Sequence, residues 1–263
     1  MNRVFAFCLL LLAGAVITRA QTSTPAPGPA DPCAAVKAQV TRLEARLKDW
    51  PALARYRADN AKLPASAKAE KRVVFMGDSI TDSWDDPKYG GFFPGKPYVD
   101  RGISGQTTSQ MLIRFRADVI ALKPKVVVIL AGTNDIAGNT GPITLEAIED
   151  NLVSMIELSR AHKIRVVLAS LLPISDYEKN KDGQPIIRGK QRRPEQITAL
   201  NQWIKQYAAA NDALYLDYYS AMIDEKGFLK EALSEDGLHP NQNGYDVMAP
   251  LAERAIALSF KRK

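Results

Sequence analysis

Two cysteines and two histidines are all that the 263 residues hold. Cys8 sits in an apolar N-terminal stretch that reads as a removable leader. That leaves Cys33 alone, which excludes an intramolecular disulfide and a cysteine-built metal cluster. Cys33 could pair between chains, but it reads as a spare thiol near a chain end. A strong charge imbalance is also missing. Without residues 1–20 the chain carries 33 Lys and Arg against 29 Asp and Glu, too small an excess to imply nucleic-acid binding. No internal repeat is evident. The full chain, 46% hydrophobic and 24% charged, has the balance of an ordinary soluble globular protein.

The chain opens with Asn2 and Arg3, an apolar run from Val4 to Ile17, and then Thr18-Arg19-Ala20. A basic start, an apolar centre and a small-residue end make a secretory signal peptide. The alternative, a membrane anchor, needs a longer apolar run. Cleavage is expected after Ala20, giving an exported protein, periplasmic or extracellular, with no stable membrane insertion. No cysteine follows a small-residue cleavage box, which argues against a lipoprotein.

Three parts are expected: the signal peptide (1–20), a linker and helical N-terminal extension (21–71), and the main domain (72–263). Residues 22–32 are rich in Pro, Ala and Ser and read as a flexible linker. Val36, Val40, Leu43 and Leu47 recur at helical spacing over 34–49, and a second helical piece is expected over 52–62. The extension either packs on the main domain or is a solvated spacer.

From Arg72 the pattern changes. Strands are predicted over 72–76, 98–101, 126–131, 164–170 and 213–217. Helices are predicted over 107–122, 144–162, 194–211 and 242–259. The runs Val126-Val127-Val128-Ile129-Leu130 and Val166-Val167-Leu168 do not alternate, which suits parallel strands covered on both faces. Strand–helix repetition predicts a three-layer α/β/α sandwich. In such sheets ligands bind beyond the carboxyl ends of the strands, so the turns after each strand are where chemistry is expected.

The first strand ends in Gly77-Asp78-Ser79, where glycine permits a sharp turn and the serine starts a helix beside an anion-favouring N-terminus. A plain helix cap would look the same. The second ends in Gly102-Ile103-Ser104-Gly105-Gln106-Thr107, whose glycines let the backbone approach a ligand. The third ends in Gly132-Thr133-Asn134-Asp135, where Asn134 can point an amide into the crevice or simply form a turn. Asp236-Gly237-Leu238-His239-Pro240 lies near the C-terminus. Its spacing lets the Asp236 carboxylate accept a hydrogen bond from the His239 imidazole, though a surface turn would read alike. His162 ends a predicted helix, where a cation is favourable and a structural role suffices.

Taken together and in this order, the serine, glycine, asparagine and histidine blocks resemble those of the SGNH hydrolases, also called GDSL esterases and lipases. The likeness runs from Arg72 to Ser259. The chain reads GDSI for the family's GDSL, and GISGQT for GISGDT, with Gln106 in the usual acidic place. GTND and DGLHPN follow, and Asp100 stands near a position where asparagine often occurs. The resemblance implies a flavodoxin-like fold with a mainly parallel five-stranded sheet. It implies Ser79 as nucleophile, His239 as general base and acid, and Asp236 as its orienting carboxylate. The backbone N–H groups of Ser79 and Gly105, with the Asn134 amide, would form the oxyanion hole.

No cofactor or metal is implied. Asp78 and Asp135 are read as helping to fix the turns or as caps, and Trp84 as packing. The loop between Leu172 and Pro194 carries Lys181, Arg188, Lys190, Arg192 and Arg193. It could overhang the site, though a solvated basic loop is the simpler reading. The expected function is hydrolysis of short acyl esters, with acetylated carbohydrate first among substrates. A lipid-directed acylhydrolase is the alternative, resembling a lysophospholipase or a platelet-activating-factor acetylhydrolase. A non-catalytic carbohydrate-binding protein is a third reading. Partners are thus a small-molecule or carbohydrate ester and no nucleic acid. No sequence feature specifies an oligomeric state.

Overall fold

The computed structural model describes residues 33–64 and 71–262. The expected leader and the linker over 22–32 lie outside the described residues. The chain divides between Glu44 and Ala45 into two units, a boundary inside helix α1, Ala34–Lys48. Along α1 the side chains of Val36, Val40, Leu43 and Leu47 are exposed. Among the described residues no helix is long and apolar enough to cross a membrane.

In the second unit a tight turn follows the end of α1. Helix α2 runs only over Arg57–Lys62, five residues later than the apolar spacing suggests. The Asp49 carboxylate accepts hydrogen bonds from the backbone N–H groups of Leu53 (2.8 Å) and Ala54 (2.9 Å). Ala52 takes a left-handed conformation, φ 56°. A carboxylate that gathers nearby N–H groups competes with helix formation.

Five parallel strands then make one sheet. They are β1 (Val73–Gly77), β2 (Tyr98–Gly102), β3 (Val126–Leu130), β4 (Arg165–Ala169) and β5 (Leu214–Leu216), in the order β2-β1-β3-β4-β5. Every residue of β1 and β3 is buried. Val74, Met76, Val127 and Ile129 point into one core; Val73, Phe75, Val126 and Val128 point into the other. The first core is closed by α4 (Thr108–Asp118), α6 (Leu145–Ala161) and α7 (Pro194–Ala210). The second is closed by α9 (Gln242–Lys261) and an aromatic cluster in which Trp84 packs against Phe75, Phe92, Phe93 and Tyr245. Trp84 is therefore packing, as its position suggested. Each fully buried aliphatic side chain contributes about 1.5–3 kcal/mol, so two such cores hold the sheet from both faces.

Short helices sit at the strand ends: α3 (Ser79–Asp82) after β1, α5 (Thr133–Ile136) after β3 and α8 (Tyr219–Met222) after β5. The helix expected over 107–122 is divided. α4 stops at Asp118, and a 3-10 turn over Ile120–Leu122 follows. Lys123 is left-handed, φ 51°. It precedes Pro124, whose ring bars the right-handed helical form at the residue before it.

Register positions the site. Gly77 of β1 lies level with Gly102 of β2 and Leu130 of β3. The three turns that follow these residues therefore leave the sheet along one edge.

Candidate active site

At the end of β1 the backbone folds back so closely that a Cβ on Gly77 would stand 2.0 Å from Thr81 Oγ1 and 3.2 Å from the Leu130 carbonyl. Close approach, not a positive φ, demands glycine there. Asp78 follows and caps α3, its Oδ1 accepting from the Ile80 N–H at 3.0 Å. Ser79 is thereby the first residue of α3, and its Oγ lies 2.9 Å from His239 Nε2.

His239 comes from the loop before α9. Its Nδ1 lies 2.7 Å from Asp236 Oδ2. Asp236 Oδ1 accepts from the backbone N–H groups of His239 (2.7 Å) and Leu238 (2.9 Å). Gly237 between them has φ 77°, and a Cβ there would meet the Ser175 carbonyl at 2.3 Å. Burial raises the Asp236 pKa, but the hydrogen bonds from the His239 ring and from the two N–H groups outweigh it. The carboxyl is held well below its usual range. It stays ionised, and so keeps an imidazolium favourable beside it.

The turn after β2 brings Gly105 to the same edge, with φ 80°. Its carbonyl accepts from Asn139 Nδ2 at 3.0 Å. Gly102 was expected to permit approach to a ligand. Instead its Cα faces α3, where an added Cβ would lie 2.1 Å from the Asp82 nitrogen. Asp82 Oδ2 in turn accepts from Ser104 Oγ (2.6 Å) and Ser104 N–H (3.1 Å), tying the two turns together.

After β3, Asn134 is buried. Its Nδ2 donates to the Gln106 carbonyl (3.1 Å) and towards Asp78 Oδ2 (3.3 Å), while its Oδ1 accepts from Arg192 Nη2 (3.1 Å). A guanidinium only donates and a carbonyl only accepts, so these partners set which way the amide points. Burial pushes the Asp78 carboxyl up to about 6, against the pull of the Ile80 N–H, His239 and Arg192. Asp135 takes Thr108 N–H (2.9 Å) and Oγ1 (2.5 Å) and so ties this turn to α4. Both aspartates fix turns.

Ser79, Gly105, Asn134, Arg192, Asp236 and His239 line one open cavity of about 590 Å³. A larger cavity, about 670 Å³, is lined by Asp82, Asp85 and Asp100 with Arg55 and Arg101 and holds no serine–histidine pair. His162 is not brought to the site: its Nδ1 lies 2.8 Å from the Leu158 carbonyl at the end of α6. Among the described residues no group of three or more His, Cys, Asp or Glu side chains could hold a metal ion.

Two site residues were not singled out from the sequence. Arg192 is buried against Asn134, and Arg188 Nη2 lies 3.3 Å from Asp236 Oδ2 while also pairing with Glu178. Both belong to the basic loop, which is not simply solvated. Nothing in a run of several cations marks which of them folds inward. Chemically, a hydroxyl on an imidazole can give its proton to that ring, while the carboxylate at the far nitrogen stays ionised and stabilises the imidazolium that forms.

Comparison with known proteins identifies the family. The model of the GDSL-like lipase/acylhydrolase family matches residues 75–247. A GDSL-like lipase from Bacteroides thetaiotaomicron is 41% identical, with a TM-score of 0.72; the match covers 80% of this chain and all of the other. An acetylxylan esterase from Geobacillus stearothermophilus is 24% identical over 222 residues, 73% of this chain and 96% of its own. An uncharacterized lipoprotein of Bacillus subtilis is 40% identical over 79 residues, and there the match spans only 29% of this chain and 32% of the lipoprotein. The chain belongs to the GDSL-like lipase/acylhydrolase family and is a carboxylic ester hydrolase.

Proposed function

We propose that the protein is an exported serine esterase that removes acetyl groups from carbohydrate through a covalent acyl-enzyme. The observation that carries this reading is the relay of Ser79 Oγ, His239 and Asp236, with contacts of 2.9 and 2.7 Å. Ser79 Oγ attacks the ester carbonyl carbon as His239 Nε2 takes its proton. The C–O bond to the sugar then breaks, and His239 returns the proton to the departing sugar oxygen. Water repeats the sequence on the acyl-enzyme, releasing acetate and restoring Ser79.

During each attack the carbonyl oxygen becomes negative. The N–H groups of Ser79 and Gly105 and the Asn134 amide are the donors for it. Arg192 acts through Asn134 by holding its Oδ1, which fixes Nδ2 as the donating end of the amide.

Acetylated carbohydrate is favoured by two features. The acetylxylan esterase relative covers most of this chain. The cavity around Ser79 carries Lys88, Asn139, Asn241 and Glu235 in its lining, which offer hydrogen bonds to a hydroxyl-rich leaving group. Export follows from the leader-like stretch over residues 1–20 and accords with the lipoprotein relative.

The test is hydrolysis of p-nitrophenyl esters from acetate to long chains, and of acetylated xylan, by wild type and Ser79→Ala. Activity that is greatest on acetate, extends to the polysaccharide and is lost in Ser79→Ala is the expected outcome. Preference for long chains would move the acyl donor to lipid. Undiminished turnover in Ser79→Ala would end the nucleophile assignment.

A further inference from the structure

We propose that Trp50 forms a second, neutral sugar-binding subsite beside the Ser79 cavity, so that the enzyme grips an oligosaccharide and not a single acetylated sugar. The proposal rests on the carbohydrate reading above. It comes from a cavity of about 540 Å³ lined by Asp49, Trp50, Ala52, Gln110 and Asn139. Ser104, Gly105 and Asn139 line this cavity and the Ser79 cavity alike. The two therefore adjoin across the turn that carries Gly105.

Trp50 is unusual in being both exposed, at 38%, and held from below. Its carbonyl accepts from Gln110 Nε2 at 2.7 Å, and the next carbonyl, of Pro51, accepts from Gln106 Nε2 at 2.8 Å. Asp49 closes the turn on the other side through the Leu53 and Ala54 N–H groups. An indole on so constrained a turn has little backbone freedom left to lose on binding. Its flat apolar face suits the C–H face of a pyranose ring, while the exposed Asn139 offers its amide oxygen to a ring hydroxyl.

Charge selects the ligand class. Lys88 and Arg192 border the Ser79 cavity, but no Lys or Arg lines the second one. Both Asp49 oxygens are already engaged by N–H groups. A phosphate or uronate finds no counter-charge there. A quaternary ammonium finds neither a second aromatic wall nor an unengaged carboxylate. A neutral sugar needs neither.

The experiment compares wild type, Trp50→Ala and Trp50→Phe on acetylated xylotetraose, an acetylated xylose monosaccharide and p-nitrophenyl acetate. Calorimetry adds the binding of unacetylated xylotetraose to Ser79→Ala with and without the Trp50 change. We expect Trp50→Ala to lower kcat/KM on the tetrasaccharide about five- to tenfold, mainly through KM, and to leave the two small substrates within twofold. Trp50→Phe should recover most of the loss. If Trp50→Ala does not fold, Trp50→Leu against Trp50→Phe makes the same comparison.

An equal loss on all three substrates would mean that Trp50 only supports the Gly105 turn, and would overturn the subsite. So would no loss on any. If wild type ignores acetylated sugars, yet Ser79→Ala binds xylotetraose in a Trp50-dependent way, the subsite stands and the acetyl-sugar reading falls. Absence of both turnover and binding overturns both.

Discussion

Asn134 shows how much a single side chain can depend on its neighbours. Its amide has three polar partners, and only the Arg192 contact engages the oxygen. Asn134→Ala should lower kcat by roughly 10²–10³ with little change in KM, as loss of one oxyanion donor does. Steady-state kinetics on p-nitrophenyl acetate check this, and a near-normal kcat in the folded variant would remove Asn134 from the mechanism. Asp100 invites a different test. One oxygen accepts from the Gly102 N–H at 2.6 Å, but Oδ2 is buried with no partner. Burial, and then the nearby Asp82 and Asp85 charges, push its carboxyl up to about 8 against the pull of the Gly102 N–H. Between about pH 4, where an unfolded aspartate ionises, and about pH 8, the native state holds a proton that the unfolded state has lost. Asp100 thus makes stability fall as pH rises through that window, with no further change above it. Asp100→Asn keeps the acceptor and loses the charge. Its melting temperature should exceed that of wild type by a margin that widens from pH 4 to 8 and then levels off; a constant margin would refute this. Asp100 was legible as a departure from the family's asparagine, but its orphaned oxygen depends on what β2 packs against, which no local pattern records.

At the scale of elements, the site depends on how tightly α3 sits on β2. A methyl at Gly102 would drive into the Asp82 backbone nitrogen, and Asp82 is the residue that holds Ser104. Gly102→Ala should therefore push α3 away, lowering both the melting temperature and kcat. A variant with normal kcat would show that the Ser79 and Gly105 turns do not need this contact. The strands were readable because residues buried on both faces leave an unbroken apolar run, as in Val126–Leu130. Gly77, Gly105 and Asn134 were readable because parallel strands bring their carboxyl ends to one edge; His239, in the loop before α9, was singled out by its spacing from Asp236. Helix limits were less so. The late start of α2 and the division after Asp118 come from the Asp49 carboxylate and from Lys123 before Pro124, local contests that apolar spacing does not reveal. Arg188 and Arg192 were hidden for another reason: charge alone makes them equivalent to their exposed neighbours Lys181 and Arg193.

For the whole molecule, residues 49–64 contribute more than a tether. Besides the Trp50 and Pro51 carbonyls, the Tyr56 hydroxyl donates to the Gly102 carbonyl. Asn60 donates to Asp118 (2.8 Å) and accepts from Arg101 (2.9 Å). A chain beginning at Lys48 keeps all of these; one beginning at Lys71 keeps none. With about 0.5–1.5 kcal/mol per bond, the shorter chain should melt on the order of 10 °C lower, and the longer one within a degree or two of the full chain. Equal melting temperatures would make the segment dispensable. The proposed catalytic groups have unequal anchorage. Ser79 and Asn134 sit at the ends of β1 and β3 in the middle of the sheet. His239 and Asp236 sit on a loop held by Ser175, Tyr177 and Arg188, all from the long connection after β4. Such loops open at a lower free-energy cost than central strands. In rising urea, hydrolysis should therefore disappear before the circular dichroism of the helices does, and return at once on dilution. The enzyme would then pass through a silent native-like state whose proposed oxyanion donors are intact while its proposed proton acceptor has swung away.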